Sequence, residues 1–276
     1  MKNIFQIILI ILFSINCFSQ NIDKQKAEVV AEGKLLYKSE MASWYGTDLF
    51  MEKYKEKENI GGYLSYSNGN LSKCIFFSKG ENPKVIGTIS FDETYNPKTA
   101  NSSFDERTFS QEELDLYTIR KNALTAINSD TIFKQYENTN LNLIPIISNN
   151  EKKVYVLTGP TGNDVVIFGN DYLLTFDKNN KHKKSKRLHA NIIPVKYGDD
   201  KENISIASMH SHLPDTSDLI TATDICTTML YEKFTSWSTV YVMSQKYVSI
   251  WNCSKDELTV ITREAFDKIQ ENDGKK

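Results

Sequence analysis

The sequence predicts an α+β protein, and three observations carry the prediction. Segments rich in β-branched and aromatic residues are joined in pairs by short turn signals, the mark of hairpins. Helical periodicity is confined to a few segments that bracket those strands. Strands and helices do not alternate as they would in a doubly wound parallel sheet. The expected architecture is a mixed sheet with flanking helices, preceded by one helix and a small antiparallel β meander. With 276 residues, 40% hydrophobic and 25% charged, the chain can bury one large core or two modest ones. A formal charge of −2, with acidic and basic residues intermixed, argues against a nucleic-acid partner.

The chain begins MKNIFQIILIILFSINCFSQ, an early lysine followed by an apolar run over residues 7–13 and then by small and polar residues. That is the layout of a secretory signal, expected to occupy residues 1–19 and to leave a mature chain starting at Gln20 or Asn21. The run is shorter than the ~20 residues a membrane-spanning helix needs, and no later segment matches it, so no transmembrane span is expected after signal removal. Cys17 offers a second route, a lipoprotein signal whose acylated cysteine anchors the chain to the cell envelope, although the preceding Ser-Ile-Asn lacks the usual small residue. Both routes export the protein: periplasmic or secreted in the first case, lipid-anchored in the second.

Residues 22–50 read as a helix, with Ala27, Val30, Ala31, Leu35 and Met41 near helical spacing. The period then changes. Residues 63–66, 73–77 and 84–91 are strand-like and separated by Asn-Gly and Lys-Gly-Glu-Asn-Pro turn signals, which predicts a three-stranded antiparallel meander. The polar segment NPKTANSS, residues 96–103, is the best candidate boundary, giving an N-terminal region over 20–103 and a second unit over 104–270. There, Ser110 and Glu113 form a capping box for a helix reaching about Asn128. Strands are expected at 141–148, 153–158, 165–168, 172–177, 192–197 and 204–210. A helix from 222 to about 234 follows, then strands at 239–244 and 247–253 and a closing segment around 257–269. The basic run KNNKHKKSKR, residues 178–187, lies between two apolar runs and reads as a solvated hairpin loop.

After the signal, three cysteines remain, Cys74, Cys226 and Cys253, with neither metal-knuckle spacing nor the density of a disulfide scaffold. One bond, Cys226 to Cys253, is compatible with an oxidising compartment. No cysteine sits in an activating context, so a cysteine nucleophile is not expected.

Two of the four histidines, His210 and His212, end the apolar run SIASMHSH. In an extended chain residues i and i+2 share a face, so both imidazoles are presented to one point in space while Ser211 faces away. Neutral imidazoles suit zinc, and a catalytic zinc takes three protein ligands with a fourth position left for water. Asp224, across the loop LPDTSDLI, is the natural third ligand. It also has a local use, because Thr221 and Asp224 form a capping box with Ile220 and Ile225 as the hydrophobic staple.

A strand carrying His-x-His, a loop and then Ser/Thr-x-x-Asp at a helix start resembles the JAB1/MPN fold of the JAMM metallopeptidases. Their pattern is His-x-His, about seven residues, then Ser-x-x-Asp. His210-Ser211-His212 matches, eight residues intervene, Thr221 stands where the family has serine, and Asp224 falls on the third ligand. The hairpin STVYVMSQKYVSIWNC after the helix keeps the family's order. The resemblance extends over roughly residues 110–255, with specific identities confined to the metal segment; nothing comparable covers 21–100.

The resemblance implies zinc held by His210, His212 and Asp224 in an exported metallohydrolase that cleaves a peptide or isopeptide-like amide of a peptide or protein substrate. Thr221 would help to hold the tetrahedral intermediate, and a glutamate from an early strand would be the general base. By order along the chain that base is Glu137, just ahead of the strand in YENTNLNLIPIIS. Glu151 falls in a hairpin turn, and Asp171 in FGNDYLL is either a shorter substitute or part of a turn. With no carboxylate in reach, the chain would instead be a noncatalytic envelope or secreted binding module keeping the fold and the metal. His182, inside the lysine run, is expected to be exposed, and His189 in RLHANIIPV, ahead of an apolar strand, reads as a surface or satisfied core histidine in preference to one that approaches the site. A serine hydrolase built from His210, Ser211 or Ser217, and Asp218 lacks the Gly-x-Ser-x-Gly elbow.

Overall fold

The computed structural model describes the backbone of residues 2–198 and 205–273, and side chains within that set from Asn21 onward, apart from Asn68. The side chains of the expected signal, residues 1–19, and the expected strand start at Ile204 lie outside the described residues. No described helix is long and apolar enough to cross a membrane.

The long helix α1 (Lys2–Lys53) buries a stripe of small and apolar residues, Gly33, Leu36, Ser39, Ala42, Gly46 and Phe50, at helical spacing. The small members set how close its neighbours come. A Cβ on Gly46 would lie 2.7 Å from Cys74 Cβ, and one on Gly33 would lie 2.7 Å from Ile225 Cβ. Gly33 therefore lets α1 rest directly on the helix that carries Asp224. Gly33→Ala is expected to cost about 1–3 kcal/mol through overpacking of a contact that cannot open freely. Urea unfolding checks this, and an unchanged midpoint would mean that α1 does not press on Ile225.

Strands β1 (Ile60–Asn68), β2 (Leu71–Ser78) and β3 (Val85–Phe91) form the expected antiparallel meander. The segment expected to be only a linker adds a short edge strand, β4 (Asn101–Ser103), paired to β3. Helix α2 (Gln111–Ser129) starts at the Ser110 capping box, with Glu113 closing it. Strands β5 (Thr139–Ser148) and β6 (Glu151–Pro160) form a hairpin through Asn149 and Asn150, both at positive φ (52° and 62°), as a type I′ turn requires.

Next come β7 (Val165–Gly169), β8 (Tyr172–Phe176), β9 (His182–Arg187) and β10 (Ile192–Lys196). Strand β8 pairs with β6 and β7 with β10, all antiparallel. The run expected to be a loop is largely β9, paired to β8 at the sheet edge. Periodicity missed it because every second position is as polar as its neighbours: an edge strand with lysines on it needs no buried face and resists further pairing.

The last sheet is mixed. Strand β11 (Ala207–Ser211) is followed by α3 (Ala222–Tyr231), which crosses over to a parallel partner, β12 (Thr239–Met243). Strands β13 (Tyr247–Asn252) and β14 (Glu257–Thr262) complete it antiparallel, and α4 (Arg263–Asp273) closes the described chain. The architecture is thus mixed α+β, with several antiparallel sheets and four α-helices among the described residues.

Apolar side chains from both sides of residues 96–103 share buried clusters. One joins Leu36, Phe50 and Phe91 to Ile144, Tyr155 and Leu230. A second places α2, through Leu116 and Ile119, between Ile75 of the meander and Val154 and Tyr172. A third lies under the mixed sheet, with Phe168, Ile225, Val240 and Trp251. Cys226 belongs to the first cluster and Cys253 to the third, so the Cys226–Cys253 bond is not formed; both, like Cys74, are buried free thiols.

Candidate metal centre

Parallel pairing with β12 keeps β11 extended to its end, and one further bond, from His212 N–H to the carbonyl of Met243 at 2.8 Å, carries that register to His212. His210 and His212 therefore share a face, as their spacing predicts, with ring centroids 5.4 Å apart. Phe168 of β7 packs on the His210 ring, 5.1 Å between centroids. The loop after His212 is pinned to the neighbouring strand by the Ile220 N–H, which donates to Ser249 Oγ at 3.0 Å. The carbonyl of Ser217 accepts from His212 Nδ1 at 3.0 Å. Because a carbonyl only accepts, that contact places the proton of a neutral ring on Nδ1 and leaves the lone pair on Nε2.

Both oxygens of Asp224 face the histidines, and Oδ2 has a second task. Oδ2 completes the capping box of α3, accepting from Thr221 N–H at 2.9 Å and from Thr221 Oγ at 2.7 Å. The Asp224 N–H in turn donates to Thr221 Oγ at 3.1 Å. Capping accounts neither for the approach of Oδ2 to His212 Nε2, at 3.2 Å, nor for Oδ1. Oδ1 is buried with no hydrogen-bond partner among the described residues, and it lies 3.2 Å from His189 Nε2 and 3.3 Å from His210 Nε2.

His189 is the member that the sequence reading leaves out of the ligand set, in favour of a surface or satisfied core role. It sits between β9 and β10 and is stapled to the β7–β8 turn on both sides. Leu188 N–H donates to the Asp171 carbonyl at 2.8 Å, and Asn170 N–H donates to the Asn191 carbonyl at 3.0 Å. Its Nε2 lies 3.0 Å from His212 Nε2, and its Nδ1 faces Asp171 Oδ2 at 3.4 Å, without the alignment of a full hydrogen bond. No local signal marks it. A histidine after a basic edge strand becomes legible only once β9 is known to end beside β11.

One ligand atom from each of His189, His210, His212 and Asp224 can be chosen so that all four lie within 4.8 Å of one another. Four nitrogen and oxygen ligands at the ordinary zinc distance of about 2.0–2.1 Å stand roughly 3.3 Å apart along the edges of a tetrahedron. The separations of 3.0, 3.2 and 3.3 Å fall close to that edge length. The atoms left over fit a cation as well: Asp224 Oδ1 and His210 Nε2, which face each other, are buried without partners among the described residues. Buried polar atoms are ordinarily satisfied, and a metal ion held between these two would satisfy both.

With no ion between them, the histidines and carboxylates act on one another. Burial would lower the pKa of His189, but Asp224 and Asp171 outweigh it and raise it to about 10. Burial would raise Asp224, yet His189 and His210 hold it well below the ordinary carboxylate range. Asp171 moves up, chiefly by burial and against the pull of His189.

The structure brings His210, His212 and Asp224 together and adds His189. Glu137 does not join them; it is exposed in the turn ahead of β5, whereas every member of the cluster is buried. Glu151 is exposed at the start of β6. Thr221 is at the centre's edge, its hydroxyl committed to the α3 cap. His182 is exposed, as expected. Ser217 Oγ accepts from Leu219 N–H, and Asp218 pairs with Lys246 at the surface, so neither forms a triad with His210. No family model, curated protein or solved structure matches the chain.

Proposed function

We propose that the chain is an exported zinc protein whose centre follows the JAMM pattern but is closed by a fourth protein ligand, His189. On this reading the JAB1/MPN-like fold serves as a noncatalytic envelope or secreted binding module that retains its metal, with a peptide or protein as its partner. The observation that carries the proposal is the convergence of three imidazoles and one carboxylate, with side-chain exposures of 4% or less, on ligand atoms within 4.8 Å of one another, three of the pairs standing at 3.0, 3.2 and 3.3 Å. Closed four-ligand zinc sites are structural, whereas catalytic ones keep a position open. Glu137, the base expected by order, is exposed in a turn, which supports the same reading. In this role zinc would tie the β9–β10 connection, the end of β11 and the start of α3 into one unit. Metal analysis of the purified chain tests it. About one zinc per chain is expected, lost in His189→Ala, His210→Ala and Asp224→Ala; metal-free protein in the presence of zinc would contradict the proposal.

Asp171 supports a second reading, a JAMM-type hydrolase of a peptide or isopeptide-like amide. His210, His212 and Asp224 alone would hold the zinc, which when bound supplies Lewis acidity toward a carbonyl and lowers the pKa of water. The charge of a bound zinc would favour neutral His189, which, backed by Asp171, would take the attacking water's proton in the place expected for Glu137, and Thr221 would stand beside the developing charge. His189→Ala separates the readings. Under the first it loses zinc; under the second it keeps zinc and loses amide hydrolysis.

A further inference from the structure

We infer that Asp171 is the positioning residue for His189, holding the imidazole so that Nε2 rather than Nδ1 faces the other three ligands. The inference rests on the four-ligand reading of the centre. A histidine can meet a metal through either nitrogen, and the partner of the other nitrogen makes the choice. For His212 that partner is the Ser217 carbonyl. For His189 it is Asp171 Oδ2, 3.4 Å from Nδ1, with side-chain exposures of 4% and 5% for the pair.

The turn that carries Asp171 is rigid for reasons unrelated to the metal. Gly169 adopts φ +80°, and a Cβ there would lie 2.2 Å from the Asn191 carbonyl oxygen, so only glycine lets the turn close on the segment after His189. Asn170 is at φ 55° and buried. Its side-chain amide donates to the Lys134 carbonyl at 2.9 Å, and its Oδ1 accepts from Tyr172 Oη at 2.6 Å. Thr158 Oγ donates to the Asn170 carbonyl at 2.8 Å, while Thr158 N–H donates to Asp171 Oδ1 at 3.2 Å. A purely local role in the turn accounts for Oδ1. It gives no reason for burying a carboxylate with Oδ2 turned to an imidazole whose far nitrogen meets Asp224 at 3.2 Å.

The experiment compares wild-type protein with Asp171→Asn and Asp171→Ala by zinc competition against a chelator, by the visible spectrum of the cobalt-substituted protein, and by melting in excess chelator. Loss of an outer partner of a ligating histidine weakens metal binding by about 10- to 100-fold. The expected order of affinity is wild type, then Asn, then Ala, because asparagine still offers a neutral acceptor to Nδ1. The cobalt bands are expected to shift or weaken in the same order. A residue serving only the turn would lower the melting temperature in chelator and leave affinity and spectrum as in the wild type, which would overturn the inference while leaving the metal centre standing. Wild-type protein that takes up neither metal would overturn both.

Discussion

Asp224→Asn is expected to abolish zinc binding while leaving the start of α3 intact, because Oδ2 makes the capping bonds and Oδ1 makes none. The amide oxygen of asparagine can replace Oδ2, accepting from the Thr221 N–H and hydroxyl that now lie at 2.9 and 2.7 Å. The amide nitrogen then faces His189 and His210 where Oδ1 stood, and it offers no lone pair to a metal. In chelator the variant is expected to melt somewhat below the wild type, because the buried pairing of His189 with the Asp224 carboxylate is lost. With zinc at about 1,000 times its dissociation constant, the wild type gains roughly 4 kcal/mol that the variant does not, since a ligand bound only by the native state stabilises by mass action. For a chain of this size that corresponds to about 10 °C. Asp224→Ala should lose the cap as well, about 1 kcal/mol more, in both conditions. Thermal melts with zinc and with chelator give the comparison; equal melting of wild type and Asp224→Asn in zinc would show that Oδ1 holds no metal.

The largest effect away from the centre is expected from Glu113→Ala. This carboxylate closes the α2 capping box by accepting from Ser110 N–H at 2.7 Å, and it also accepts from Tyr66 Oη at 2.8 Å. Arg107 grips it through both terminal nitrogens, at 2.7 and 2.8 Å. The side chain is 1% exposed and Arg107 is 40% exposed, so Glu113 is the buried partner that the others satisfy. Removing it leaves the tyrosine hydroxyl, the N-cap amide and a guanidinium without their acceptor, a loss of about 3–5 kcal/mol. Burial would raise its pKa, but Arg107, the Ser110 N–H and Tyr66 hold it at about 2, below the ordinary 4.5. The sign follows: a depressed carboxylate contributes stability that is complete above pH 4.5 and disappears as pH falls toward 2. The wild type should therefore lose about 3 kcal/mol across that window that Glu113→Ala does not, measured by urea unfolding at stepped pH. Parallel pH profiles for the two proteins would contradict the assignment.

How much of this was legible in the sequence follows from how local each signal is. The capping boxes at Ser110 and Thr221 lie within one helical turn, and both form as their residues predict. The shared face of His210 and His212 follows from strand geometry alone, and it too is present. Strand β9 was hidden because its stability comes from backbone pairing with β8 at an edge, which leaves no apolar alternation to read. The role of His189 was hidden with it. That histidine reaches the centre through the β7–β8 turn and the β9–β10 connection, a meeting fixed by sheet order and by Gly169, not by spacing to His210. In the sequence Asp171 reads as a substitute carboxylate or as a turn residue, and in the fold it is a turn residue whose second oxygen faces His189. Glu137 was chosen by order along the chain, which carries no information on burial, and it lies exposed.

The central claim is that His189 closes a four-ligand zinc centre, and X-ray absorption at the zinc edge of the loaded full-length chain tests it most directly. The account predicts about one zinc per chain in a first shell of four nitrogen and oxygen neighbours near 2.0–2.1 Å, three of them imidazole and none sulfur, with one imidazole fewer in His189→Ala. A wild-type shell with two imidazoles and a water, unchanged in His189→Ala, would contradict it.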